Sequence, residues 1–134
     1  MIKGIGHTAY TVKDMDKALN FYCDVLGFKK VFELDRDGEP WIVYLKICDY
    51  QFIELFYGGE KEIEVDVKTI GYSHLCLEVE DIYQISEHIK SKGVKLDKEP
   101  KQGVDMNYQS WVSDPDGNKI ELMQYHPECP QLTK

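Results

Sequence analysis

The chain lacks any apolar run approaching the roughly 18 residues that a membrane helix requires, so no spanning segment is expected. It also lacks the charged-then-apolar opening of a secretory signal, and an exported product is not expected. Cysteine is sparse: Cys23, Cys48, Cys76 and Cys129 are its four thiols, with no C-x-x-C pair among them. That density excludes a disulfide scaffold and points to free thiols in a reducing, cytoplasmic setting. Positive charge is scarce too, with 16 Lys and Arg against 24 Asp and Glu and a formal net charge of −8. The basic residues are scattered. Nucleic acid is therefore excluded as a partner, because phosphate recognition needs a clustered cationic footprint. What remains is an ordinary globular composition, 43% apolar over 134 residues, long enough to bury a core.

Against these absences stands a repeat. His7 in G-I-G-H-T-A-Y recurs as His74 in G-Y-S-H-L-C-L, and Glu54 in F-I-E-L-F recurs as Glu121 in K-I-E-L-M. Both pairs are 67 residues apart, half the length of the chain. The same offset lays Val12 over Val79, Asp14 over Asp81 and Met15 over Ile82, while Leu26-Gly27-Phe28 answers Lys92-Gly93-Val94 with one residue fewer. Two copies are too few for a solenoid, which needs at least three. The pattern reads as a duplicated module, residues 1–64 and 65–134, forming one compact unit. Duplication by itself produces equal offsets, so the spacing establishes the repeat more firmly than it establishes a metal.

Each half is expected to run β-α-β-β-β. In the first, a strand over residues 4–12 precedes a helix capped by Asp14 or Asp16 and ended by Gly27, burying Met15, Ala18, Leu19, Tyr22, Val25 and Leu26. Strands over 29–34, 41–47 and 50–57 follow, and Gly58 to Glu64 forms a polar connector. In the second half, a strand over 72–79 leads to a helix over 81–92 with Ile82, Ile85 and Ile89 on one face. A short strand near 94–96, an irregular segment over 99–107 and strands over 108–113 and 119–125 complete it, the last two joined by the D-P-D-G-N turn. Residues after His126 read as a loose tail.

Strand alternation shows where the repeated polar residues point. Leu75, Leu77 and Val79 form an apolar row suited to packing under a helix, which turns His74, Cys76 and Glu78 the other way. Ile53 and Leu55 flank Glu54, Ile120 and Leu122 flank Glu121, and Tyr10 and Val12 alternate with His7, so all four candidates face away from the helices. A lone histidine at a strand start is ordinarily a surface or capping residue, and a lone glutamate on an open sheet face is ordinarily solvated. Four together on related faces point instead to a divalent cation. Imidazole and carboxylate suit Zn, Ni, Co, Mn or Fe(II), and two of each leave such an ion neutral with positions free for water or substrate.

Several stretches, G-H-T near the start, A-L-N-F-Y-C-D-V-L-G-F, Y-Q-F-I-E-L, G-Y-S-H-L-C-L-E-V-E-D and D-P-D-G-N-K-I-E-L, resemble the glyoxalase I branch of the vicinal oxygen chelate superfamily along essentially the whole chain. The resemblance implies an α+β fold of two tandem βαβββ modules, the glyoxalase/bleomycin-resistance/dihydroxybiphenyl-dioxygenase fold. It carries the family's metal ligands onto His7, Glu54, His74 and Glu121, and implies one divalent ion per site, with Ni, Zn or Co foremost. It also implies a homodimer in which His7 and Glu54 of one chain face His74 and Glu121 of another. Glutamate at position 54 favours this branch, since the related extradiol dioxygenases resemble a His-His-Glu triad and the acyl-CoA epimerases carry glutamine there.

The implied chemistry is isomerisation of the hemithioacetal of methylglyoxal and a thiol to an S-lactoyl thioester through an enediolate. The ion would act as a Lewis acid, with Glu121 as the proton-transferring base and Glu54 serving the mirror-image substrate. Two departures leave the thiol open: Thr11 stands where glutathione-using relatives have arginine, and Gly58 where they have asparagine. Lys101 lies close to a basic position of those relatives, and Trp41, Tyr44, Met106 and Trp111 are candidates to line the pocket beside Thr11. A metal-dependent acyl-CoA epimerase and a non-catalytic ligand-binding protein of the same superfamily are the alternative functions.

Overall fold

The computed structural model describes residues 1–62, 65, 66 and 68–134. The chain divides into two compact units, Met1–Ile63 and Glu64–Lys134. The end of the expected connector at Glu64, and with it the expected module boundary, lies outside the described residues.

The first unit is built from β1 (His7–Thr11), α1 (Met15–Leu19) with a π-helical continuation over Asn20–Val25, β2 (Lys29–Arg36), β3 (Glu39–Cys48) and β4 (Gln51–Phe56). Its sheet has the order β1-β4-β3-β2, with β1 parallel to β4 and the remaining pairs antiparallel. The Asp14 carboxylate starts the helix by accepting the Lys17 N–H at 3.1 Å. The expected helix end near Leu26 holds, but its buried face does not follow a simple 3.6-residue period. The Leu26 N–H reaches back five residues to the Phe21 carbonyl at 3.0 Å, widening the last turns. That shift of phase buries Phe21 and leaves Leu19 and Leu26 half-buried. Tyr22 has no exposed surface, its ring stacked between Tyr10 at 6.2 Å and Phe28 at 6.0 Å. Val43, Leu45, Ile53 and Leu55 supply the sheet side of this core. Gly59 closes the unit against β1: a side chain there would meet the Val12 backbone at 2.9 Å, where the Gly59 N–H donates to the Val12 carbonyl.

The second unit repeats the plan with β5 (Leu75–Glu78), α2 (Ile82–Ser91), β6 (Lys98–Gln102), β7 (Tyr108–Ser113), β8 (Lys119–Gln124) and a short α3 (Pro130–Thr133). Its sheet order is β5-β8-β7-β6, again with one parallel pair, β5 and β8. Asp81 caps α2 by accepting the Tyr83 and Gln84 N–H groups, both at 2.9 Å. Ile82 and Ile89 are fully buried against Val112, Ile120 and Leu122, while Ile85 is only half-buried. Two four-stranded mixed sheets, each a βαβββ module, thus make up the chain, as expected of the α+β architecture.

Three segments of the second unit depart from expectation. Strand β5 begins at Leu75 rather than Tyr72, because its ladder starts at Leu75 opposite Ile120, just inside the first residue of β8. His74 therefore sits one residue before the strand. The expected strand at 94–96 is absent, and β6 forms instead over Lys98–Gln102, within the segment read as irregular. K-E-P-K-Q shows no apolar alternation, and as an edge strand it tolerates both the proline and the register shift between Lys98 and Lys101. The tail is tied down. Fully buried Asn107 accepts the His126 N–H at 2.9 Å and donates to Asp105 at 2.8 Å and to Gln131 at 3.2 Å.

Candidate metal centre

In the first unit β1 and β4 run side by side, bringing His7 at the start of one against Phe52 at the start of the other. Glu54 lies two residues on, level with Ala9 on one side and Tyr44 of β3 on the other. The His7 Nε2 stands 3.5 Å from the Glu54 Oε2. The imidazole is half exposed at 51%, whereas the carboxylate side chain is 9% exposed. In the second unit the His74 Nε2 stands 3.1 Å from the Glu121 Oε2, with exposures of 33% and 7%. The Ser73 hydroxyl lies 3.1 Å from the other ring nitrogen of His74, and the edge of that ring meets the Trp111 indole at 4.8 Å.

Each unit thus presents one imidazole nitrogen and one carboxylate oxygen close together, with the carboxylate sunk into the sheet and the imidazole at the surface. Metal–ligand bonds of about 2.0–2.2 Å meeting at tetrahedral or right angles hold two donor atoms roughly 2.9–3.5 Å apart. Both observed separations fit neighbouring ligands on one ion. Two donors are fewer than the three that a catalytic ion ordinarily takes from protein, so neither pair alone makes a complete catalytic site. Among the described residues no group of three or more His, Cys, Asp or Glu side chains is gathered around one point.

The surroundings of the two carboxylates set their chemistry further. Tyr44 stands opposite Glu54 across the β3–β4 ladder, and that neighbouring carboxylate, followed by burial, holds the phenol above its ordinary range. Burial and then the charge of Glu121 push the Cys76 thiol up to about 12, although part of that residue's surface remains exposed. With no metal ion beside it, Cys76 is therefore a neutral S–H.

Residues 4–122 match the family described as the Glyoxalase/Bleomycin resistance protein/Dioxygenase superfamily. The chain belongs to that superfamily. It is similar to a probable lactoylglutathione lyase of Synechocystis sp., with 38% identity over 125 residues covering 88% of this chain and 92% of that one. It is also similar to a lactoylglutathione lyase of Neisseria meningitidis serogroup A, with 32% identity over 125 residues and 88% of each chain covered. Among solved structures, a glyoxalase family protein from Enterococcus faecalis shares the fold, with a TM-score of 0.79 at 24% identity over 90% of this chain and 97% of that one.

For this glyoxalase-superfamily chain, the structure gathers some of the candidate residues and separates others. Tyr44 joins Glu54 in the first unit and Trp111 joins His74 in the second. Trp41 lies beside Phe56 at 5.9 Å, with the Arg36 guanidinium 3.4 Å over its ring. Thr11 is exposed at the far end of β1, opposite Phe56. Lys101 is exposed on β6 opposite Gln109, and Met106 takes a positive φ of 74° in the turn that follows. Sequence reading did not single out Phe32, which stacks on the Tyr44 ring at 4.2 Å, or the thiol of Cys76 as a neighbour of Glu121. A signal for the second was present: Cys76 is 67 residues from Ala9, as Trp111 is from Tyr44.

Proposed function

We propose that the protein is a metal-dependent lyase of the glyoxalase I type, converting the hemithioacetal of a 2-oxoaldehyde and a thiol into a 2-hydroxyacyl thioester. The observation that carries this reading is the recurrence, in both units, of a histidine nitrogen and a glutamate oxygen at 3.5 and 3.1 Å. His7, Glu54, His74 and Glu121 would hold one Ni, Zn or Co ion, one pair coming from each of two copies of the chain in a cytoplasmic homodimer. Bound there, the ion supplies Lewis acidity to two adjacent substrate oxygens.

The protein's own groups do the rest. Glu121 takes the proton from the carbon bearing the sulfur and returns it to the neighbouring carbon, with Glu54 serving the opposite hand of substrate. The low exposure of both carboxylates keeps bulk water from competing for that proton. No redox cofactor enters, because the isomerisation moves a proton and leaves the electron count unchanged. Thr11, Trp41, Tyr44, Lys101, Met106 and Trp111 are proposed to face the substrate, with Thr11 and Gly58 as the positions that decide which thiol is accepted.

The test is thioester absorbance from methylglyoxal with glutathione and with other low-molecular-weight thiols, after loading with Ni, Co or Zn. Activity is expected with at least one combination, and Glu121→Gln is expected to lower it by about 10³-fold or more. Silence with every metal and thiol overturns the reading. Chelation should abolish activity, and adding back the ion should restore it.

A further inference from the structure

The turn between β6 and β7 is held from two sides. Within itself, the Gly103 N–H donates to the Asn107 carbonyl at 2.8 Å and the Met106 N–H to the Gly103 carbonyl at 3.2 Å. The Gln102 side-chain amide donates to the Met106 carbonyl at 2.9 Å. These bonds keep Met106 at a φ of 74°, a left-handed conformation that residues other than glycine adopt only when their surroundings impose it. From outside, the segment after β8 reaches back to the same turn. The Asn107 side chain, with no exposed surface, accepts the His126 N–H at 2.9 Å and donates to the Gln131 side-chain carbonyl at 3.2 Å. Gln131 in turn donates to the Asp105 Oδ2 at 3.0 Å, the same oxygen to which Asn107 donates at 2.8 Å. Asn107, Asp105 and Gln131 thus close a ring of three bonds. The other Asp105 oxygen, Oδ1, is buried against Gly103, where an added Cβ would lie 2.7 Å from it and 2.9 Å from the Gln109 amide nitrogen. Cys129, between the two points of attachment, is fully buried, so the segment lies on the unit rather than beside it.

We propose that residues 126–133 are a strap that fixes the 103–107 turn, with Asn107 and Gln131 as positioning residues that act through Met106. In a closed ring each member holds the other two, so removing Gln131 loosens both the carboxylate and the amide that brace the turn. The functional consequence rests on the proposed function, in which Met106 faces the substrate. A turn set in place before binding does not have to be ordered by the substrate. The strap therefore governs substrate affinity and leaves the proton transfer at Glu121 untouched.

Hydrogen exchange on the full-length chain reads the strap directly. Gln131→Ala should raise exchange of the 103–107 amides by about tenfold, while α2 and the β7–β8 ladder of the same unit stay as protected as in the wild type. Unchanged exchange in the turn overturns the proposal. An equal rise across the whole unit overturns it too, since that marks general destabilisation. Gly103→Ala approaches the same contact from the turn, by crowding Asp105, and should raise exchange over residues 129–133. Full protection of that segment in the variant would show that turn and strap are not coupled. With the metal-loaded protein, Gln131→Ala should raise KM for the hemithioacetal about fivefold and change kcat by less than about twofold. A fall in kcat at unchanged KM overturns the positioning role. A wild-type chain silent with every metal and thiol overturns the proposed function instead, and the exchange measurements still decide the strap.

Discussion

The two units follow one plan and fill it differently. Asp14 and Asp81 cap their helices with almost the same backbone angles, φ −137° and −138°. Ile53 and Ile120, Leu55 and Leu122, and Leu45 and Val112 are buried at matching places of the two sheets. Where the plan tolerates variation, the units diverge. The first buries the aromatic Tyr22 where the second buries Ile89, and the first has Val43 where the second has Ser110. Ser110 is fully buried because its hydroxyl is satisfied, donating to the Lys98 carbonyl at 2.9 Å with Ser86 at 3.4 Å. A duplicated scaffold thus preserves the apolar contacts that any βαβββ module needs, and lets the groups around its two pairs of metal-ligand candidates drift apart.

Core truncations should break the comparison most visibly. Tyr22→Ala is expected to cost about 4 kcal/mol and Ile89→Ala about 3 kcal/mol, because the aromatic ring leaves the larger cavity. Urea midpoints of the two variants check the order, and the reverse order would mean that the first unit relaxes into the space. The caps come next. Asp81→Ala should lower stability by about 1 kcal/mol, and Asp14→Ala by less, since Asp81 holds two N–H groups where Asp14 holds one. Thermal melts of the pair decide this.

The smallest expected effect concerns a feature confined to the second unit. Hydrogen bonds from Gln131 and then Asn107 hold the Asp105 carboxyl below its ordinary value of 3.8. A carboxyl lowered in the folded state contributes stability that is present above that ordinary value and is lost as pH falls through the lower, folded one. Asp105→Asn should therefore lower stability slightly at neutral pH, change it little in strong acid, and so flatten the acid limb of the stability curve. An unaltered acid limb would show that the tie between the 103–107 turn and the chain end does not depend on charge.

Much of this was legible without coordinates. The capping aspartates, the D-P-D-G-N turn and the period-two rows around Glu54 and Glu121 are local signals, and local signals survive translation into structure. Asp114 shows it plainly, accepting the Asp116 and Asn118 N–H groups at 3.0 and 2.8 Å within five residues of chain. The misreadings arose where distant segments decide. K-E-P-K-Q becomes a strand because β7 is there to pair with it, and the chain end is ordered because Asn107, far back in sequence, reaches it.

By itself the sequence determined that the chain is a doubled βαβββ module of the glyoxalase superfamily, with one histidine and one glutamate turned away from the helix in each half. Alternation along a strand reports which face a side chain takes. It does not report what stands beside that side chain, because a neighbour across a ladder is chosen by register between segments far apart in the chain. Only the tertiary structure decided that Tyr44 stands opposite Glu54 across one ladder and Cys76 opposite Glu121 across another.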